Sequence, residues 1–291
     1  IGDMNIIRHI SRDRVTDFYH KWYRPDNMSL IVVGDIDAHK IAQLISQQLD
    51  KPSSRTQRPL DKIDFSIPLI HHWRVASIAE QGTNIPALEL SFFEEDKQKE
   101  TVIGYKQDLI QQIVTRLVNL RLQKWEKSQN NWLDSANFYR SHLGKQTLQS
   151  VFSLQLIDTN YLKNITALFA FIAEIKQHGF TADELNGEIA RLHNLNEKQQ
   201  NIRPGSLKIA NDLIAIAANH QIMLSAKERY NLNRRFLNEI KVTDLNATFN
   251  QMLALNAKLL LITQPLPEKK LPFDADYIEQ RWNQAMHSGQ N

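Results

Sequence analysis

A short apolar, β-branched run at residues 28–33 limits what the N-terminal part of this chain can form. Residues 24–27, Arg-Pro-Asp-Asn, precede it and are typical of a tight turn, and Gly34 ends it. Such a run suits a strand that is buried on both faces. Asp37 can then N-cap a helix with apolar residues at three- and four-residue steps. Residues 18–37 therefore predict a helix end, a turn, a buried strand and a helix start.

The segment before the turn predicts a further helix. Ser11 can N-cap it, and Val15, Phe18 and Trp22 lie along one side. A single strand cannot stand alone, because both of its edges present unpaired N–H and C=O groups. We therefore expect residues 1–58 to be a truncated α-β-α half-domain, the C-terminal part of a first domain whose other strands are absent or supplied by the rest of the chain.

Residues 51–59 are polar and rich in proline and serine, which is typical of a linker. Beyond them, periodicity predicts one complete α+β domain over residues 65–264, with an antiparallel-rich sheet packed by a long helix and further helices. The predicted strands are 72–79, 87–92, 133–139, 147–157 and 258–262, and the long helix is 106–127.

The helix ends of this domain carry recognisable caps. Thr181 with Glu184, and Ser225 with Glu228, match the capping-box pattern. Gly179 suits a C-terminal cap, and Thr243 suits the start of a late helix. Residues 265–291 begin with a Pro-rich, charged stretch, and we expect them to be a linker toward a following domain.

Composition excludes several classes of function. The net charge is only +3, with 35 basic and 32 acidic residues mixed along the chain, which argues against nucleic-acid binding. No apolar run approaches the roughly 18 residues that span a bilayer. The chain has no cysteine, which excludes disulfides and thiolate sites and fits cytosol and periplasm equally.

The sequence offers no catalytic or metal-ligating set. The ten histidines form neither H-x-x-E-H nor H-E-x-x-H, and no P-loop, G-x-G-x-x-G or G-x-S-x-G is present. His193 and Glu197 lie four residues apart on a predicted helix, but without a third ligand they predict a solvent-facing pair. We therefore expect this chain to hold no zinc and to have no peptidase activity of its own.

Residues 1–49, centred on the Tyr-Arg-Pro-Asp-Asn-Met and Val-Gly-Asp-Ile-Asp segments, resemble the pitrilysin/insulinase family of zinc metallopeptidases, the inverzincins. Residues 179–185 resemble a segment between two helices of that family's second domain. The resemblance implies a pitrilysin-like fold and a bacterial-type parent endopeptidase that hydrolyses peptides with zinc-activated water inside a closed chamber. Zinc is then expected in the parent, and the chain is expected to be an internal fragment.

The same resemblance implies a role and a setting. The fragment would be a non-catalytic part of the chamber wall that anchors peptide substrates, with the remaining domains of the parent as partners. The resemblance also favours a periplasmic location. Two alternatives stay open: a fragment of a non-catalytic binding or assembly subunit with the same fold, and an unrelated interaction module. An intact H-x-x-E-H motif upstream would favour the peptidase over the subunit.

In this family the second domain offers an exposed strand edge to the substrate, and the order of elements assigns that strand to residues 133–140. The candidate peptide-binding residues are Asp134, Ser135, Ala136, Asn137, Phe138 and Tyr139. The small residues Ser135 and Ala136 would let another backbone approach and add a strand. The alternative is an ordinary edge strand kept inert by Asp134 and Arg140.

Overall fold

The computed structural model describes residues 2–49, 67–79, 81–82, 84–96, 101–129, 132–144, 146–200, 203–218, 222–267 and 269–287. Its helices are α1 Met4–His9, α2 Arg12–Trp22, α3 Ala38–Leu49, α4 Val102–Ser128, α5 Tyr161–His178, α6 Ala182–Gln200, α7 Ser206–Ala218, α8 Ala226–Glu239, α9 Val242–Leu253 and α10 Ala275–His287. Its strands are β1 Trp73–Ala79, β2 Ala87–Glu95, β3 Leu133–Leu143, β4 Thr147–Leu156 and β5 Lys258–Gln264.

The chain divides into two compact units. One comprises Ile1–Asp64 and Arg203–Met223, and the other comprises Phe65–Ile202 and Leu224–Asn291. The second unit contains the whole sheet. Residues 203–223, which the sequence pattern placed within 65–264, thus group with the N-terminal segment.

The helix starts of the first unit follow the predicted caps. The Ser11 hydroxyl accepts a hydrogen bond from the Arg14 N–H at 3.3 Å. The Asp37 carboxylate accepts from the N–H groups of His39 and Lys40, at 2.9 and 3.2 Å. Both N-caps are confirmed, because each depends only on residues within one turn.

The prediction of a strand over residues 28–33 was wrong. The segment is extended but joins no sheet among the described residues, and Met28, Leu30 and Val32 are 56%, 62% and 45% exposed. A β-strand exists only through hydrogen bonds to a neighbour, and the described residues supply none here. The described residues of the first unit are therefore helical or extended, and they do not include the strand of the expected α-β-α half-domain.

The second unit is built on a five-stranded sheet in the order β1-β5-β2-β4-β3. β1 and β5 run parallel, and the other neighbouring pairs are antiparallel. This confirms the antiparallel-rich α+β architecture. The late strand β5 is inserted between β1 and β2, and β3 lies at the edge.

One face of the sheet carries the core. Leu90 of β2 is paired with Phe152 of β4, and both side chains are fully buried. The apolar stripe of α4 belongs to the same core, and Ile113 and Leu117 are buried at its centre. Val151 points to the other face and is still only 1% exposed, which explains the imperfect alternation along β4.

The turn from α5 to α6 has the predicted geometry. Gly179 caps α5 with φ 65°, a left-handed conformation that suits glycine. The Glu184 carboxylate accepts from the Thr181 N–H at 2.8 Å, and the Thr181 hydroxyl accepts from the Glu184 N–H at 3.2 Å. The Ser225–Glu228 capping box of α8 is also confirmed.

Two boundaries differ from the sequence pattern. Helix α9 begins at Val242, so Thr243 lies inside it, and the Asp244 carboxylate instead accepts from the Lys241 N–H at 2.8 Å. The expected linker 265–291 contains α10, in which Ile278, Trp282 and Met286 are buried. That spacing of three to four residues presents one apolar stripe, which packs against α5 and β1.

Candidate peptide-binding strand edge

Strand β3 is the last strand of the sheet beside β4, as the order of elements led us to expect. Phe138 faces the helices, where its ring lies 4.5 Å from that of Phe152. Side-chain alternation then places Ser135, Asn137 and Tyr139 on the opposite face. The register with β4 shifts between Leu133 and Ser135, so Asp134 has no paired residue there.

The outward main-chain groups of β3 are partly occupied by helix α4. The Phe138 N–H donates to Oδ1 of Asn119 at 2.9 Å, and Nδ2 of Asn119 donates to the Phe138 carbonyl at 2.7 Å. The Ala136 N–H donates to Oε2 of Glu126 at 3.2 Å. Side chains of α4 thus already bond the outward main-chain groups of Ala136 and Phe138, in the stretch where the sequence places the added strand.

Beyond Phe138 the edge is more open. Main-chain groups alternate in direction along an antiparallel strand, so those of Arg140 and His142 point outward like those of Phe138. Within the described part of the chain, no group is hydrogen-bonded to these outward N–H and C=O groups. Among the described residues, the outward groups of this edge that have no hydrogen-bond partner thus lie at its C-terminal end.

The side chains at this end contact carboxylates of β2 and of the residue that follows it. Arg140 donates from Nη2 to Glu94 at 2.5 Å and from Nε to the Ser150 hydroxyl at 3.1 Å. Nε2 of His142 lies 2.9 Å from the Asp96 carboxylate. These pairs fix the side chains across the helix-covered face, so the accessible edge offers mainly backbone groups.

A second polar group lies on the opposite face of the sheet. The Ser153 hydroxyl donates to Oε1 of Glu89 at 3.2 Å. Partial burial raises the pKa of Tyr139, and the charge of Glu89 and a hydrogen bond to it raise that pKa further. Tyr139 therefore stays a neutral donor at ordinary pH.

The side chains of the described residues do not fit a zinc site. Across the described residues, no group of three His, Asp or Glu side chains converges as metal ligands would. Glu197, four residues from His193, instead accepts a hydrogen bond from the Tyr230 hydroxyl at 2.8 Å. The His142–Asp96 pair supplies only two ligands. No catalytic step can be assigned to these residues.

Sequence reasoning missed Asn119 and Glu126. Asn119 follows the buried Val118 in the apolar stripe of α4, where packing alone does not require a polar side chain. Asn119 lies beside this stripe and is half-buried, so the helical period gives no signal that singles it out. Its partner on β3 depends on how the helix docks, which periodicity does not encode.

No helix in the described part of the chain is long and apolar enough to cross a membrane. The family model described as "Peptidase M16 inactive domain" matches residues 9–192. A probable zinc protease PqqL of Haemophilus influenzae is 64% identical over 291 residues, covering all of this chain and 31% of that protein. PqqL of Escherichia coli is 28% identical, over 87% of this chain and 27% of that protein. The chain thus spans about a third of the length of these curated relatives.

Solved structures show the same fold. The first half of the periplasmic protease PqqL from Escherichia coli matches with a TM-score of 0.81 at 20% identity, over 98% of this chain and 61% of that one. The ferredoxin protease FusC, in complex with Arabidopsis ferredoxin, matches with a TM-score of 0.84 at 18% identity, over 98% of this chain and 32% of that one. With a family model matching more than half of its residues, the chain belongs to the peptidase M16 inactive-domain family, which confirms the resemblance to pitrilysin and insulinase.

Proposed function

We propose that this chain is a non-catalytic part of a longer zinc-dependent endopeptidase, in which it forms part of the chamber wall and anchors peptide substrates on β3. Two lines of support are the inactive-domain family and relatives named as zinc proteases. The ligands for zinc, and the water that it activates, would belong to another part of the polypeptide.

The observation that carries this proposal is that the outward N–H and C=O groups of Arg140 and His142, on an edge strand, have no hydrogen-bond partner among the described residues. An extended peptide can add to such an edge through main-chain hydrogen bonds, with little dependence on its side chains. This would let one wall accept many sequences. The earlier part of the strand, Asp134–Tyr139, carries the two residues whose outward main-chain groups are bonded to α4, Ala136 and Phe138.

An anchor of this kind acts on binding rather than on the chemical step. It holds the substrate equally in the ground state and in the transition state, so it lowers KM without changing kcat. The remaining domains of the parent would be its partners and would complete the chamber. One structure of this fold is described as a periplasmic protease, which supports a periplasmic location.

The test replaces His142 by proline in the complete polypeptide. His142→Pro removes one outward N–H donor and no ladder bond to β4. A main-chain hydrogen bond contributes about 0.5–1.5 kcal/mol, so we expect KM for an unstructured peptide to rise roughly two- to twelvefold with kcat and zinc content unchanged.

His142→Ala is the matched control, because it also loses the contact to Asp96 but keeps the main-chain donor. An equal KM for the proline and alanine variants, both folded, would remove this edge from substrate binding. Absence of stoichiometric zinc and of hydrolysis in the complete wild-type polypeptide would favour the binding or assembly subunit instead.

A further inference from the structure

The carboxamide of Asn119 makes the two hydrogen bonds that a neighbouring strand would make. In an antiparallel sheet, residues of a hydrogen-bonded pair exchange one N–H and one C=O bond each. Asn119 accepts from the Phe138 N–H at 2.9 Å and donates to the Phe138 carbonyl at 2.7 Å. One side chain thus replaces one residue of an added strand.

This amide is held in a single orientation. Nδ2 of Asn119 donates a second hydrogen bond to the Thr115 carbonyl, one turn earlier on α4, at 2.8 Å. Both amide hydrogens therefore point at carbonyl oxygens, and Oδ1 faces the Phe138 N–H. A reversed amide would set donor against donor and is disfavoured.

A second α4 side chain bonds the next outward main-chain group of β3. The Ala136 N–H donates to Glu126 at 3.2 Å, so an incoming peptide meets occupied groups at residues 136 and 138. Displacing Asn119 would cost two hydrogen bonds before the peptide makes any. At Arg140 and His142 no hydrogen bond between described residues has to be broken before a peptide can pair.

We propose that Asn119 is a specificity-determining residue that occupies the middle of the β3 edge and confines a bound peptide strand to the end at Arg140–His142. This inference rests on the proposed function of β3 as a peptide anchor. The ligand class is a short extended stretch of polypeptide, paired through its backbone. Removing the Asn119 side chain should lengthen the available edge.

The experiment measures peptide affinity in the full chain. The probe is a fluorescein-labelled octapeptide of alternating threonine and lysine, and fluorescence anisotropy gives its Kd. Asn119→Ala exposes the N–H and C=O of Phe138, and two regained hydrogen bonds should tighten binding by roughly five- to 150-fold. N-methylation of alternate residues on the pairing edge of the probe should abolish that gain.

Asn246→Ala is the matched control. Asn246 also accepts a main-chain hydrogen bond, from the Phe180 N–H at 2.8 Å, but lies away from β3. Its replacement should loosen the fold without changing Kd. If Asn119→Ala does not fold, Asn119→Ser keeps a polar side chain that is too short to bond both main-chain groups of Phe138, and a smaller gain in affinity is expected.

Three results would overturn the inference. An unchanged Kd for Asn119→Ala, while His142→Pro still weakens binding of the same probe, would refute the role of Asn119 and leave the proposed function intact. If His142→Pro also left the Kd unchanged, the anchor itself would be refuted. A gain that coincides with dimer formation in analytical ultracentrifugation would assign the edge to a second copy of the chain.

Discussion

Lys258, the first residue of β5, is buried among aromatic rings. Its Nζ lies 5.7–5.8 Å from the ring centroids of Trp73, Phe92 and Trp282, and it donates to the Leu255 carbonyl. Loss of hydration lowers the pKa of Lys258, and the charge of Glu279 offsets part of that effect. The rings and the carbonyl thus stabilise the ammonium group, but its removal from water costs free energy.

This pKa shift predicts a pH dependence with a definite sign. The folded state gives up the Lys258 proton at a lower pH than the unfolded state, whose pKa is near 10.5. Between those two values the unfolded state binds more protons, so stability rises with pH. We expect the free energy of unfolding of the wild type, relative to Lys258→Met, to increase from pH 7 toward 10.5, by about 1.4 kcal/mol per unit of pKa lowering.

Urea denaturation of the two proteins at several pH values measures this difference. Groups that titrate in both proteins, such as Tyr105 and Tyr161, cancel in the comparison. A difference that is constant, or that falls as pH rises, would mean that burial does not disfavour the ammonium form.

At the scale of elements, Arg121 joins α4 to the turn between α5 and α6. Its guanidinium donates to both carboxylate oxygens of Glu184, at 2.8 and 2.7 Å, and to the Gly179 carbonyl at 2.7 Å. It also lies 5.0 Å from the centroid of the Phe180 ring. One side chain therefore holds a helix end, a helix start and the residue between them.

The hydrogen bond from Arg121 lowers the pKa of Glu184, against a smaller opposing effect of burial. The stabilisation is present above the unfolded pKa of about 4.5 and is lost as pH falls through the folded pKa. We expect Glu184→Gln to cost about 1–2 kcal/mol at pH 7, at the lower end for charged hydrogen bonds because the pair is partly exposed.

The cost of Glu184→Gln should shrink as the solution is acidified below pH 4.5, as measured by urea midpoints. Asp183→Asn makes the same charge change on an exposed side chain of the same helix turn and should cost little at any pH. Equal effects of the two substitutions would show that the Arg121 contact contributes nothing specific.

At the scale of the whole chain, α10 contributes to the core of the second unit. The Trp282 ring lies 5.6, 5.7 and 5.1 Å from those of Trp73, Phe92 and Phe169. These residues come from β1, β2 and α5, so a helix from the end of the chain is packed against three earlier elements. A stretch that looks like a linker by its prolines thus completes the core.

We expect Trp282→Ala to lower the free energy of unfolding of the second unit by about 3–5 kcal/mol, the usual cost of truncating a buried aromatic side chain. The urea midpoint, followed by tryptophan fluorescence, measures it. Asn283→Ala changes the next, exposed residue of α10 and should have little effect. A loss below about 1 kcal/mol for Trp282→Ala would mean that α10 docks independently of this cluster.

The sequence by itself determined the local structure of this protein. The caps at Ser11, Asp37 and Thr181 and the periods of α4 and β4 follow from hydrogen bonds and side-chain spacing within one or two turns. The family could also be recognised from the sequence, because each of its two characteristic segments, 1–49 and 179–185, is a continuous stretch of residues.

Only the tertiary structure decided which groups meet across distance. The absence of a strand at residues 28–33, the insertion of β5 between β1 and β2 and the docking of α10 all depend on partners remote in sequence. Whether the main-chain groups of the β3 edge are bonded also depends on remote residues. Asn119 and Phe138 are 19 residues apart, and their hydrogen bonds exist because α4 packs beside β3. A strand edge is open or closed according to its neighbours, and its own residues do not encode which.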